Sequence, residues 1–295
     1  MKRQAIERII HGLLAAVAFT AVAILAMIVL FLFREGLPVF REVSVRGFLF
    51  GHEWYPTYDP PSYGIWPLIV ASVAVTTLSC LIAVPFGILF AVYVAEAAPP
   101  AVKGVLKAVM ELLAGLPSVV LGFFGMVVIA PLLQETFDLP TGLNIANASL
   151  ILSIMAVPTI ASISEDALYA VPREFKEASY ALGATRYETI VRVVIPAALS
   201  GISAAVILGM SRAIGETMVV LMVAGGAAAL PTSIFDPARP MTASIAAEMG
   251  EAPYKSGHYH ALFATGIVLF FLTLAFNLVA NYISHRFKEV GSATL

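Results

Sequence analysis

Residues Ala197 to Leu230 read AALSGISAAVILGMSRAIGETMVVLMVAGGAAAL, and Arg212 and Glu216 are the sole charges in that run. A helix needs about 20 apolar residues to cross the ~30 Å hydrocarbon core of a bilayer. The run is therefore predicted to span a membrane. An arginine at the centre of a span costs about 2.5 to 3.5 kcal/mol on insertion scales, so its presence marks a functional polar site that faces protein or water.

The same composition extends outward. Of 295 residues, 60% are hydrophobic and 12% charged, proportions of a polytopic membrane protein rather than a soluble domain. Six stretches are long and apolar enough to cross: 9–33, 66–95, 108–133, 147–164, 197–230 and 260–284. The first follows the basic start Met1-Lys2-Arg3. Its apolar core is about twice a signal peptide's length, and it ends at Phe33-Arg34-Glu35 without a small-residue cleavage site, which predicts a retained anchor.

The basic residues test the topology. With the N-terminus inside, the cytoplasmic pieces hold Lys2, Arg3, Arg8, Lys103, Lys107, Arg173, Lys176, Arg186, Arg192, Arg286 and Lys288; the outer pieces hold Arg34, Arg41, Arg46, Arg239 and Lys255. That excess predicts a multi-pass protein of a bacterial-type plasma (inner) membrane with both termini cytoplasmic. The net charge of −2 points to no nucleic-acid partner and leaves membrane lipid as the surroundings. Cys80 is the one cysteine, so an internal disulfide and a cysteine metal cluster are excluded.

Between the spans, residues 34–65 place Trp54, Tyr55, Tyr58, Tyr63 and Trp66 among prolines, a composition suited to an interfacial aromatic belt or to substrate contact. In 231–259, Met241, Ile245 and Met249 recur at helical spacing, which predicts a short helix in the outer interface or a re-entrant gate element. The inner loop, 165–196, is the most organised polar segment. Pro172 is placed to start a helix and Gly183 to end it. Thr185 with Glu188 fits a capping box, and Pro196 marks entry to the fifth span. A helix-turn-helix follows, with Phe175, Ala178 and Leu182 along one side of its first helix.

Glu177, Ala178, Ser179 and Gly183, followed by Val193, Ile195 and Pro196, resemble the EAA signature of ABC importer permeases, with Ser179 in place of a second alanine and Val193 and Ile195 where isoleucine and leucine are usual. Gly115-Leu116-Pro117-Ser118 through Gly125, Ser211 through Met218, Ser164 through Leu168, and Val171-Pro172 look like the PstC-like subunits of phosphate importers. The resemblance covers nearly the whole chain and is weakest in 34–65. It implies an all-α, six-span bundle of the type I importer permease (MetI-like) architecture with a cytoplasmic coupling helix between spans 4 and 5. It also implies an N-terminal anchor and outer loop over 1–65 and a permease core over 66–295. The expected partners are a PstA-like second permease, two copies of a cytoplasmic ABC ATPase and an extracytoplasmic phosphate-binding protein. ATP-Mg is expected at the ATPase, and this chain is expected to bind no cofactor.

The polar residues of the third and fifth spans supply the expected pathway: Arg212, Glu216, Thr217, Ser211, Pro117 and Ser118. Guanidinium offers a planar donor fork that matches phosphate oxygens and stays charged at any working pH. Glu216, one turn from Arg212 on a continuous helix, is expected to hold the arginine when no cargo is present, or the two form a packing pair. Gly209 and Gly215 are expected to leave room for a ligand or another backbone. Pro117 either kinks the third span or breaks it and frees backbone groups toward the pathway.

No Gly-x-x-x-x-Gly-Lys-Ser/Thr loop is present, so ATP hydrolysis belongs to another subunit and the chain is read as non-catalytic. His258 and His260 lack a third metal ligand. The alternatives are a permease for sulfate or molybdate, and beyond that a membrane-embedded enzyme or a channel.

Overall fold

In the computed structural model of the chain, the backbone of residues 2–292 and the side chains of residues 10–282 are described. The basic side chains counted at the two ends, Lys2, Arg3, Arg8, Arg286 and Lys288, lie outside them. Among the described residues, six helical stretches are long and apolar enough to cross a membrane: Ile10–Arg41, Trp66–Ala97, Ser118–Phe137, Ile145–Tyr169, Arg186–Ile214 and Gly257–Tyr282. The protein is a multi-pass, mostly helical membrane protein.

The first passage, α1 (Lys2–Gly36), packs on the last, α13 (Gly257–Ser292), through the edge-on ring pairs Phe31–Phe263 and Phe33–Phe271. The short helix α2 (Val45–Phe50) and the two-residue antiparallel strands β1 (Trp54–Tyr55) and β2 (Ser62–Tyr63) follow. Of the aromatic side chains Trp54, Tyr55, Tyr58, Tyr63 and Trp66, two, Trp54 and Tyr63, are core rather than surface. Val39, Phe48, Trp54, Tyr63 and Ile65 are buried in one cluster with Leu68, Met241, Ala261 and Leu262, while Tyr55 and Tyr58 remain exposed.

The second passage, α3 (Trp66–Val92), and the fourth, α7 (Ile145–Tyr169), form the core together with α10 (Ile195–Ile214). α7 is rich in Ala and Ser, so its neighbours approach closely, as small residues allow in membrane bundles. The Asn144 side chain caps it by accepting from the Asn147 N–H at 2.9 Å, and the Asn147 amide donates to the Gly125 and Gly142 carbonyls at 3.0 and 2.9 Å. The expectation of a short fourth span, 147–164, is corrected. Glu165 faces Lys107 rather than open solvent, so its charge does not end the helix, which runs on to Tyr169.

One side chain locks three helices. A Cβ at Gly87 of α3 would fall 2.8 Å from Ile160 Cγ2, and a Cβ at Gly209 of α10 would fall 2.5 Å from Ile160 Cγ1. Gly209 is therefore a packing socket and not ligand space. Gly209→Val should force α10 off α7 at a cost of about 1–3 kcal/mol. The measurement is the thermal stability of the detergent-solubilised protein, and Ile160→Ala in the same chain should recover part of the loss; an unchanged melting profile would contradict the socket.

The third passage differs from the predicted 108–133. It follows α4 (Pro100–Gly115) and a break at Leu116 and Pro117, and consists of α5 (Ser118–Phe124) and α6 (Ala130–Phe137), joined by a wider turn at Gly125–Ile129. The fifth also differs. A helix from Arg186, α9 (Arg186–Thr189), continues through Ile190–Val194 into α10 and stops at Ile214, so residues 215–230 are not part of it. After Gly215 the chain turns into α11 (Met218–Val223), whose Val219, Val220 and Val223 are buried. Then α12 (Met241–Glu248) inserts Met241 into the core and donates its N–H to Ser72 Oγ at 2.9 Å. The predicted short helix is thus present and packs against α3 through its first turn. In the connecting loop, the Thr232 hydroxyl and N–H and the Ser233 N–H hold the Asp236 carboxyl below the usual carboxylate range.

Candidate functional site

The contacts of α7 fix the depth of its neighbours. A Cβ at Gly201 would fall 2.4 Å from Ala167 Cβ, and Gly209 meets Ile160, so α10 runs antiparallel to α7. Arg212 lies one turn beyond Gly209, level with Val157, the midpoint of α7.

α4 also runs antiparallel to α7, along its inner half. Lys103 Nζ sits 4.0 Å above the Tyr169 ring and Lys107 Nζ lies 3.6 Å from Glu165 Oε1. Ala114 lines a small cavity with Pro158 and Ala161. Beyond the break, a Cβ at Gly125 would fall 2.7 Å from Ile151 Cγ1. Seven residues earlier, about 10 Å at 1.5 Å per residue, Ser118 reaches the level of Pro158. The break before α5 and the one after α10 thus lie at nearly one level along α7, that of Arg212. α11 packs on α5, with Met222 Sδ 2.8 Å from where a Gly122 Cβ would be, so the segments following the two breaks are neighbours.

Pro117 does more than kink a helix. Leu116 and Pro117 are extended, with ψ of 132° and 137°, and the helical ladder is interrupted. Pro117 is exposed and Ser118 half-buried. Discontinuous helices whose ends meet near mid-bilayer are the geometry in which transporters bind cargo, because freed backbone groups and side chains can turn toward a solute.

The Arg212 side chain is exposed and makes no ion pair or hydrogen bond among the described residues. The expected Arg212–Glu216 contact is absent. Gly215 ends the helix, so the one-turn geometry needed to bring the pair together is lost. Glu216 turns to the next element: its carboxylate accepts the N–H groups of Met218 and Val219 at 3.2 and 3.4 Å, and its carbonyl accepts the Thr242 hydroxyl at 2.8 Å. Ser211 is turned to α13, with its hydroxyl 2.8 Å from the Ile207 carbonyl and against the Asn277 amide. The Thr217 hydroxyl donates to the Gly215 carbonyl at 3.3 Å. Gly215 is exposed, and a Cβ there would meet only the Ser211 carbonyl, at 3.7 Å.

Beyond the Tyr169 end of α7, α8 (Arg173–Ala181) follows Pro172, and Gly183, at φ +84°, reverses the chain into α9. A positive φ costs little only for glycine. Both halves of the Thr185–Glu188 capping box are present. Glu177 and Ala178 are exposed, Val193 and Ile195 half-buried, and Pro196 exposed at the start of α10. Ser179 points inward, its hydroxyl 2.9 Å from that of buried Thr189, so a serine here pins the two helices of the hairpin together. Lys176 Nζ lies 2.5 Å from Glu96 Oε1, and the Arg186 guanidinium donates to the Glu96 carbonyl, which ties the hairpin to the end of the second passage. Leu182 and Tyr187 are 89% and 74% exposed. Two large apolar side chains held in the open at a hairpin tip suit a protein contact.

Sequence reading missed an outer cluster. Glu248 accepts the Trp54 indole N–H at 3.0 Å, pairs with Arg239 at 2.5 Å and lies 2.8 Å from His258 Nε2. Trp54 and His258 are buried, and the group ties four segments far apart in sequence, so no local spacing announces it. His260 Nδ1 instead lies 2.6 Å from the Glu35 carbonyl. Among the described residues no three metal-ligating side chains converge.

Residues 83–289 match the family described as binding-protein-dependent transport system inner membrane component. The chain is 42% identical over 278 residues to a probable ABC transporter permease protein, YqgH, of Bacillus subtilis, covering 94% of this chain and 90% of that one. It is 33% identical to the phosphate transport system permease protein PstC of Mesorhizobium japonicum, covering 95% and 90%. It is 30% identical to a probable PstC of Methanocaldococcus jannaschii, covering 92% and 91%. Among solved structures, a bacterial alginate ABC transporter superposes with a TM-score of 0.62 at 16% identity, over 91% of this chain and 94% of that one. The inward-facing MetNI methionine transporter superposes with a TM-score of 0.57 at 21% identity, over 76% and 94%.

Proposed function

This chain belongs to the family of binding-protein-dependent transport system inner membrane components, and from that premise we propose that it is a PstC-like permease subunit of an ATP-driven importer of inorganic phosphate. It forms half of the translocation pathway beside a PstA-like second permease, in the plasma membrane with both termini cytoplasmic. It is a transport subunit and not an enzyme. Two cytoplasmic ATPases carry out ATP-Mg hydrolysis, and an extracytoplasmic phosphate-binding protein delivers the cargo.

The observation that carries the reading is Arg212: an exposed guanidinium at mid-depth, beside two helix breaks, without a partner in its own chain among the described residues. A fixed positive fork that no carboxylate satisfies is a station for an oxyanion. Pro117 and Ser118 line the same level from the third passage, and Ser211 and Thr217 flank the arginine. Glu216 contributes by holding α11 in place. At the inner face, Glu177, Ala178, Ser179, Gly183, Val193, Ile195 and Pro196 form the hairpin that seats against the ATPase, with Leu182 and Tyr187 as its exposed apolar anchors. ATPase closure pushes this hairpin, and α10, continuous with α9, carries the movement to Arg212.

The test is uptake by the four-component assembly reconstituted in vesicles. Phosphate uptake should require ATP and persist in a large excess of sulfate or molybdate. Inhibition by either competing anion, or uptake of it at the phosphate rate, would overturn the phosphate assignment.

A further inference from the structure

α4 is attached to the bundle with little apolar burial, Leu106, Met110 and Leu113 being half-buried. None of its residues is buried, and Val105, Val109 and Leu112 are exposed on its outward side. Its described polar contacts to α7 are the Lys107–Glu165 pair at 3.6 Å and Lys103 at 4.0 Å over the Tyr169 ring. The Glu165 side chain is 5% exposed and its Oε1 accepts no hydrogen bond, so the Lys107 ammonium is what compensates a buried charge. A cavity of about 60 Å³ beside the pair, to which Glu111 and Ser162 also contribute, leaves room for the lysine to shift.

These contacts sit between two places that matter for transport. The last turns of α7 carry Glu165 and Tyr169 and lead through Val171 and Pro172 into the ATPase-facing hairpin. The far end of α4 is Gly115, immediately before the break at Leu116 and Pro117. Both helices are stiff rods, and although the Lys107 side chain is 46% exposed, Glu165 is buried, so parting the two leaves an uncompensated carboxylate in a low dielectric. The pair therefore favours discrete arrangements over gradual slippage, which is what a linkage between two sites requires.

We propose that the Lys107–Glu165 pair, seconded by Lys103 over Tyr169, is the linkage by which movement of the 172–194 hairpin reaches the mid-depth break at Pro117. Lys107 and Glu165 are then positioning residues for the transport step, acting beside the direct route through α10. The inference rests on the reading of that hairpin as the ATPase contact.

The test uses the complete reconstituted transporter with Glu165→Gln and Lys107→Gln. Each should leave ATP hydrolysis in place, while phosphate moved per ATP hydrolysed falls about tenfold, within the usual range of coupling between sites. The double variant should be no worse than either single one, and Lys107→Arg should keep the wild-type ratio. A loss confined to assembly would leave the ratio untouched. If Glu165→Gln fails to assemble, Lys103→Gln, which disturbs no buried charge, should still lower the ratio. An unchanged ratio in the assembled variants overturns the linkage. A wild-type transporter that carries sulfate in place of phosphate would instead defeat the substrate assignment, and the same ratio measured with sulfate would still decide the linkage.

Discussion

Replacing Arg212 with lysine is expected to lower phosphate uptake about 10- to 100-fold while the assembly stays intact. The guanidinium is exposed at the midpoint of the bundle and has no partner among the described residues, so the substitution breaks no internal bond and its effect reports on cargo. Lysine keeps the charge but replaces a planar fork with a single strongly hydrated point. One charge-assisted hydrogen bond contributes about 1.5–3 kcal/mol, and each 1.4 kcal/mol is about tenfold. Uptake and co-purification with the ATPase, measured on the same preparation, separate transport from assembly. Wild-type uptake by Arg212→Lys would remove the arginine from the pathway. Glu216→Gln should have the smaller effect, because its carboxylate is engaged with the N–H groups of Met218 and Val219 and not with the arginine.

Glu248→Ala is expected to be strongly destabilising, at about 1–3 kcal/mol, the cost of leaving buried donors without their acceptor. The carboxylate is 14% exposed and serves Arg239, His258 and the Trp54 indole at once. Its loss strands the Arg239 guanidinium and buried indole and imidazole groups. The measurement is the thermal unfolding of the detergent-solubilised protein, together with proteolysis of the 34–65 segment that Trp54 anchors. An unfolding transition at the wild-type temperature would show that water replaces the carboxylate without loss. Glu248→Gln keeps acceptors for the indole and should recover part of the stability.

Much of this architecture was legible in the sequence for a physical reason: apolar length is a local property, and the bilayer imposes it directly. The hairpin was equally legible, since Gly183, Thr185 and Glu188 act through backbone conformation and capping within a few residues. The errors share a cause. The proline at 117 leaves a kink or a break open, and the structure has the break; apolar composition does not reveal that Gly215 ends α10, so a continuous helix sets Glu216 on the same face as Arg212. The end of α7 was misplaced because the compensating charge for Glu165 comes from Lys107, more than fifty residues earlier. The Glu248 cluster draws on residues 54, 239, 248 and 258, and a long-range polar group of that kind leaves no periodic trace.

The two interruptions also determine which side of the molecule meets oil. Gly215, Leu116 and Pro117 are exposed where the chain is not helical, level with the middle of α7. Backbone groups without an intrahelical partner are not tolerated against lipid tails, where each unsatisfied group costs several kcal/mol. That flank has to meet water or a neighbouring protein chain. The opposite requirement holds for the unbroken α1, whose most apolar window has none of its residues buried in the fold and whose backbone is satisfied internally along its length. A single subunit thus carries one wettable flank and one greasy one, and the bilayer itself selects the direction in which it can be rotated within a larger assembly.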